Sequence, residues 1–409
     1  MKLNNVDLLN VYLKWQEDIF VGRLALKNRK IFFEYESSFL ELNIPLSPFM
    51  LPLKAGVQVC EDQTFSGLFG VFNDSLPDGW GRLLLDRQVE KHGVHRNELS
   101  PLDRLAHIGD SAMGALRYKP VLSSYKKTYS GLDLDRLFKE CQTVLEGEQE
   151  EVFEELLFLN GSSAGARPKI MVGVNQDKKK IIHGTDELSV EYSHWMIKFA
   201  SHTDPKDMGA IEYAYSLMAK DAGIDISDTY LFETTSGGRY FGIKRFDRKN
   251  HQPIHMHSLC GLIHADHRTP TLDYEMLLKV TLTLTKNIQE VEKAFRLACF
   301  NVFAHNRDDH SKNFSFLLEE GGEWKLSPAY DLTFSYGPAY EQSTLVMGEG
   351  KNPGTKHLLK LAKKFDIHHA KEIIDQVADV VSCWSQYAQN IGMREKSITN
   401  IAKSLSRNI

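Results

Sequence analysis

Residues 290–305 are mostly apolar, and the chain then runs Asn306-Arg-Asp-Asp-His-Ser-Lys-Asn without one apolar side chain. The first stretch is long enough for a helix and too apolar to face water, so it predicts a buried helix. The second is too polar to bury, so it predicts a loop that ends the helix and opens a strand at Phe314–Leu318. Carboxylate, amide and imidazole groups crowded at the end of a rigid element are typical of a metal or proton-transfer site. Asp308 and Asn313 have the D-x-x-x-x-N spacing in which a carboxylate accepts a hydroxyl proton and an amide oxygen meets Mg2+ during phosphoryl transfer. An ordinary polar turn can share that spacing.

The rest of the chain divides by its periodicities. Gly22–Leu26 and Ile31–Tyr35 alternate apolar and polar positions around the turn-like Lys27-Asn-Arg-Lys, which predicts a hairpin in a β-rich start. Asn73–Gly79 is a loop by its turn residues, and Trp80–Glu90 has helical spacing. From Gly131 to Phe158 the chain is acidic and amphipathic, predicting a solvated helical face. Strands follow at Lys169–Val174 and His194–Ala200, then a helix at 209–222 closed by Gly223, then a strand pair at Tyr230–Thr234 and Arg239–Phe246. A second hairpin strand is expected at Trp324–Leu326, and everything after about 355 reads as helix.

Composition narrows the function classes. The 409 residues carry 49 Lys and Arg against 54 Asp and Glu, a net charge of −5, so the chain as a whole has no electrostatic reason to bind nucleic acid or an anionic membrane. Five scattered cysteines indicate neither a disulfide framework nor a zinc site. The first residues break their apolar stretch with Asn and Asp, unlike a secretory leader, and no apolar run is long enough to span a bilayer. A cytoplasmic protein with no membrane partner is expected.

Other residues extend the loop into a possible site. Lys198 lies in an apolar strand, where a buried ammonium needs a counter-charge or a ligand phosphate, and Glu212 lies at the start of the next helix. Read singly, Lys198 also suits a snorkelling or edge position, and Glu212 a helix-start charge. Asp331, beyond the Phe314–Leu326 hairpin, falls where a kinase places a metal-binding Asp. Gly161-Ser-Ser-Ala-Gly-Ala-Arg-Pro-Lys brings small residues and two cations to the start of a strand, as a phosphate-cradling loop or a plain flexible one. The histidines at 251, 255, 257, 264 and 267 match no standard zinc spacing.

Taken together these segments resemble a HipA-type serine/threonine kinase, the toxin of bacterial toxin–antitoxin pairs. The resemblance rests on Ser75-Leu-Pro-Asp-Gly-Trp-Gly-Arg, His107–Tyr118, Gly161–Lys169, Asp308–Ser315 and Ser327–Leu332, in that order along nearly the whole chain. It implies an α+β, distantly protein-kinase-like fold: a β-rich N-terminal subdomain (1–125), a nucleotide-binding lobe (126–250) and an all-helical C-terminal lobe (251–409). It implies ATP and Mg2+ as cofactors, with Asp308 as catalytic base and Asn313 and Asp331 as metal ligands. Ala164, Gly165, Ala166, Arg167, Pro168 and Lys169 would cover the ATP phosphates, which Lys198, paired with Glu212, would contact. Lys244-Arg245-Phe246 would be the adenine hinge, with His310, Lys312 and Tyr330 bordering the nucleotide.

Ser162, with Ser163 beside it, matches the position at which relatives phosphorylate themselves. The implied partners are a helix-turn-helix antitoxin, operator DNA reached only through it, and a protein substrate such as an aminoacyl-tRNA synthetase. Two other readings are a catalytically silent co-repressor and a metal-dependent phosphohydrolase. The intact Asp308, Asn313, Asp331 and Lys198 argue against the first, and the second leaves Lys198 and the Gly-rich loop without a role. Asp309 stands where relatives often have Gly, and is expected to face solvent or to bind metal.

Overall fold

The computed structural model describes residues 5–122, 131–147, 153–161, 165–184, 188–269 and 272–406. The alternating pattern near the start becomes a five-stranded antiparallel sheet in the spatial order Val57–Val59, Lys30–Tyr35, Asp18–Lys27, Leu8–Lys14, Leu116–Lys119. The expected hairpin lies at its centre, with Leu24 opposite Phe33. Its two-residue turn is Asn28-Arg29, both at positive φ, the geometry whose twist matches that of the flanking strands.

A second antiparallel sheet runs in the order Ile181–His183, Lys169–Asn175, Tyr192–Lys198, Arg239–Lys244, Thr229–Glu233, with helix Met208–Asp221 packed on its last two strands. The strand expected at 194–200 ends at Lys198, because its partner begins at Lys169 directly opposite. Lys198 is therefore terminal rather than central in its strand, and Glu212 sits in the second helical turn rather than the first. The acidic stretch forms two helices, Leu134–Glu146 and Phe153–Asn160, which Arg136 ties together through Glu155 at 2.9 Å while also pairing with Glu140 of its own helix at 2.7 Å.

The C-terminal part corrects one expectation. It is mainly helical, with the buried helix at Ile288–Phe303 and four helices from Thr355 to Leu405, but it is not all-helical. His255–Ser258 joins the Ser315–Leu318 and Trp324–Leu326 hairpin as a third strand. That strand is hidden in the sequence because its inward residues are polar: His255, His257 and Ser258 are all buried.

Two apolar cores result. Trp80 and Leu84 of helix Gly79–Lys91 pack with Leu137, Leu156, Ile170, Val172, Trp195 and Ile197 beneath the second sheet. The Trp80 motif thus packs a core, as a large aromatic beside a turn usually does. The larger core runs from Leu9, Leu24 and Phe33 through Ala214 and Tyr215 to Phe295 and Phe300, so the N-terminal sheet and the C-terminal helices share one interior.

The histidine-rich segment braces that shared interior. Asp74 accepts from His257 Nδ1 at 2.6 Å, from the Ser258 N–H at 2.7 Å and from Ser258 Oγ at 2.6 Å. His257 Nε2 meets Ser47 Oγ at 3.0 Å, His255 Nε2 meets the Leu46 carbonyl at 2.9 Å, and His264 Nε2 accepts from the Gly70 N–H at 3.0 Å. A Cβ on Gly70 would fall 2.0 Å from the Gly261 carbonyl oxygen, so only bare backbone fits at this contact. Among the described residues no three His, Cys, Asp or Glu side chains gather as a metal site. Asp74→Ala would leave buried donors on His257 and Ser258 without an acceptor, and should lower stability by on the order of 3 kcal/mol in urea denaturation. A loss below about 1 kcal/mol would show that the brace does not hold the two parts together.

Candidate active site

The register of the second sheet sets Lys169 and Lys198 opposite each other on one face. Two buried ammonium groups at neighbouring positions repel, so the site must supply anions. Glu212 comes from helix Met208–Asp221 and Asp331 from the loop after the C-terminal hairpin; the Lys198 Nζ donates to Glu212 Oε1 and to Asp331 Oδ1. Burial alone would lower the Lys198 pKa, but Asp331 and then Glu212 raise it above the ordinary lysine value. Burial raises Asp331 too, yet Lys198 and then Lys169 hold it well below the usual carboxylate range. For Lys169 burial dominates and brings the ammonium down to about 8, with Asp331 opposing.

Asp331 itself adopts φ +56°, a left-handed conformation that Asp tolerates better than most residues. Across from it stands the polar loop. The Asp308 carboxylate is exposed, and its Oδ1 lies 4.0 Å from His310 Nε2. Desolvation by the walls of the site raises the Asp308 pKa, with His310 opposing and Asp331 adding to the rise. Asn313 Nδ2 donates to the Asp308 main-chain carbonyl at 2.7 Å, closing the loop on itself. The Tyr330 hydroxyl donates to the Lys312 carbonyl at 2.6 Å, and the Tyr330 ring lies 5.4 Å from that of Phe246.

Most residues singled out in the sequence therefore converge. Arg167 is held by Asp204 at 3.0 and 3.1 Å, and the Phe199 N–H donates to the Pro168 carbonyl at 2.8 Å. Two hinge side chains turn elsewhere: Lys244 faces Asp228 at 4.0 Å, and the Arg245 guanidinium is locked on Asp247 at 2.7 and 2.9 Å. Any adenine contact there falls to the main chain and the Phe246 ring. Ser162, Ser163 and Ala164 lie outside the described residues.

The sequence reading missed the contribution of the N-terminal part. Asp78 caps helix Gly79–Lys91 and receives Lys312 Nζ at 2.9 Å, while His267 Nε2 lies 3.4 Å from the same oxygen. The His267 contact, and then Lys312, hold its carboxyl well below the usual range. The Trp80 N–H donates to the Gly165 carbonyl at 3.0 Å. A Cβ on Gly79 would sit 2.4 Å from that carbonyl oxygen, so the helix start lies directly against the Gly-rich loop. The signal was present: Asp78 and Gly79 stand inside the Ser75–Arg82 motif.

The oxygen donors Asn313 and Asp331 fit Mg2+, which takes one or two protein ligands and leaves the rest to phosphate and water. The facing Lys169 and Lys198, with Arg167 beside them, fit an anionic phosphate chain.

Comparison with known proteins places the chain in a family. Residues 161–384 match the family model for the HipA-like C-terminal domain, and residues 9–119 match that for the HipA N-terminal domain. Over 224 residues the chain is 25% identical to “Putative kinase Y4dM” of Sinorhizobium fredii, covering 49% of this chain and 54% of that one. Over 207 residues it is 27% identical to a “Putative kinase” of Haemophilus influenzae, covering 46% and 57%. The chain thus spans about half the length of the curated relatives it matches. The HipA of Shewanella oneidensis, solved with HipB and operator DNA, superimposes with a TM-score of 0.71 at 15% identity over 98% of this chain and 97% of that one. That likeness shows a shared fold.

Asp309 departs from its expected place in solvent. It is fully buried, and it accepts from the Tyr274 hydroxyl at 2.6 Å and the Thr344 N–H at 3.1 Å. Burial pushes its carboxyl up to about 8 in spite of those donors. Between about pH 4 and pH 8 the folded protein therefore keeps a proton that the unfolded chain has released, so stability falls as pH rises through this window. The slope is on the order of 1.4 kcal/mol per pH unit. Asp309→Asn, which has no proton to lose, should flatten the decline in thermal midpoint between pH 5 and 8. Equal declines in both proteins would place an ionised Asp309 in the fold.

Proposed function

The chain belongs to the HipA family, and from that premise we propose that it is an ATP- and Mg2+-dependent serine/threonine protein kinase, the toxin of a toxin–antitoxin pair. The observation that carries the reading is the Lys198–Glu212–Asp331 cluster, with Lys198 and Glu212 buried and Asp331 half-buried, beside the exposed Asp308. The nucleotide is taken to lie among residues 126–250, with 251–409 supplying the chemistry and 1–125 the support. Bound ATP and Mg2+ supply the transferable phosphoryl group and the charge that neutralises its oxygens.

The chain's own groups divide the remaining work. Lys198, steadied by Glu212, and Lys169 hold the phosphate oxygens, while Arg167 stays fixed on Asp204 at the mouth of the Gly-rich loop. Asp331 and Asn313 hold the metal. Asp308, whose raised pKa suits a general base, accepts the proton of the substrate serine or threonine hydroxyl. Ser162 is the proposed site of self-phosphorylation. There ~1.5–2 added negative charges would repel the triphosphate.

The partners follow the same premise. The Shewanella HipA was solved with HipB and operator DNA, which supports a small helix-turn-helix antitoxin as partner here. A chain with net charge −5 is taken to approach DNA through that antitoxin. The substrate is taken to be a protein of the translation apparatus, such as an aminoacyl-tRNA synthetase. No helix among the described residues is long and apolar enough to cross a membrane, and the proposed compartment is the cytoplasm.

Asp308→Asn should abolish phosphoryl transfer while leaving ATP affinity within about twofold, since the base acts on the hydroxyl and not on the nucleotide. Retention of activity within about tenfold would remove Asp308 from the chemistry. Asp331→Asn should instead remove the Mg2+-dependent part of nucleotide binding, measured by calorimetry with and without the metal. Unchanged affinity in saturating Mg2+ would place the metal elsewhere. Lys198→Ala and Glu212→Ala should each depress turnover, and together cost much less than the sum of their effects, because the pair acts as one unit. Additive losses in a double-mutant cycle would separate their roles.

A further inference from the structure

We propose that Asp309 is a positioning residue for phosphoryl transfer: from the buried side of its loop it sets the direction of Asp308 and ties that loop to the one bearing Asp331. The roles of Asp308 and Asp331 in this inference rest on the kinase reading above. Adjacent residues point in opposite directions, since the Asp308 side chain is 65% exposed and Asp309 is 0% exposed. Whatever fixes Asp309 therefore fixes the outward course of Asp308.

Asp309 is fixed from several sides. Its Oδ2 accepts from the Tyr274 hydroxyl at 2.6 Å and from Gln342 Nε2 at 3.3 Å, and its Oδ1 from the Thr344 N–H at 3.1 Å. Its main-chain carbonyl accepts from Thr344 Oγ1, so side chain and backbone are both anchored. The chain of contacts continues inward. Asn301 Nδ2 donates to the Tyr274 oxygen at 2.9 Å, and Asn306 Nδ2 donates to Asn301 Oδ1 at 3.0 Å. The same Asn306 nitrogen lies 3.5 Å from the Asp331 carbonyl oxygen, beneath the residue held at φ +56°.

Tyr274, Asn301, Asn306, Gln342 and Thr344 are all buried. They come from helices Tyr274–Thr285 and Ile288–Phe303, from the polar loop and from the segment after Asp331. Burying a carboxyl and three amides costs stability, most of all where an atom lacks a partner as Asn306 Oδ1 and Gln342 Oε1 do, and the hydrogen bonds that are made select one geometry. Catalytic groups must be held to within a fraction of an ångström, and the two loops joined by this network bear the proposed base and a proposed metal ligand.

The test compares Asp309→Ala, Asp309→Asn and Tyr274→Phe with wild type by steady-state transfer kinetics and by hydrogen–deuterium exchange of segments 306–313 and 329–333. Asp309→Ala and Tyr274→Phe should lower kcat by at least about tenfold with KM for ATP within about twofold. Asp309→Asn, which keeps the shape and an acceptor, should retain kcat within about threefold. Exchange should quicken in both segments of the Ala and Phe variants. Should Asp309→Ala fail to fold, the conservative Tyr274→Phe carries both readouts. Normal kcat in the folded variants, or unchanged exchange in segment 329–333, would overturn the inference. A wild type that transfers no phosphate would instead remove the kinase reading, and the exchange measurement would still decide whether Asp309 ties the loops.

Discussion

Burying the Lys198 ammonium requires counter-charge, and the two carboxylates that provide it come from distant parts of the chain. Glu212 arrives on a helix that must lie across the second sheet. Asp331 arrives only if the C-terminal hairpin docks beneath that sheet. One ion cluster thus fixes how strand, helix and hairpin meet, because removing either carboxylate leaves charge stranded in the interior. Lys169 across the ladder adds a second buried cation, which burial brings down to about 8 against the pull of Asp331.

The N-terminal part takes a direct share in that site. It shares an apolar core with the C-terminal helices, and its Asp74 brace buries the histidines that might otherwise be read as metal ligands. At the site, Asp78 holds Lys312 while Gly79 and the Trp80 N–H support the Gly165 carbonyl. The Ser75–Arg82 motif therefore reads physically. Asp caps the helix and holds a lysine, Gly permits backbone contact, and Trp fills the core beneath the second sheet.

Where residues repeat with a clear period, the elements were legible: the Asn28-Arg29 hairpin, the helix ending at Gly223 and the C-terminal helices all stand where the pattern placed them. The strand His255–Ser258 was not, because its inward side chains are hydrogen-bonded polar groups and give no apolar period. Within the site, the Lys198–Glu212 pair was legible through the family resemblance, to which the cost of a buried ammonium gives a physical reason. The second bond from Lys198 to Asp331 was not, since it depends on a docking between residues 133 positions apart. Asp309 shows the same limit. Composition makes a carboxylate in a polar loop look exposed, and only the tertiary fold brings Tyr274 and Thr344 to it.

The proposed kinase moves a phosphoryl group onto a protein hydroxyl. The most direct measurement follows the γ-phosphate of labelled ATP, with Mg2+, in the presence of a cell lysate, and partitions it between protein seryl or threonyl groups and free inorganic phosphate. A kinase should place most of the label consumed on protein hydroxyls. Label released only as inorganic phosphate would contradict that reading and would make the Asp308 loop a hydrolytic centre.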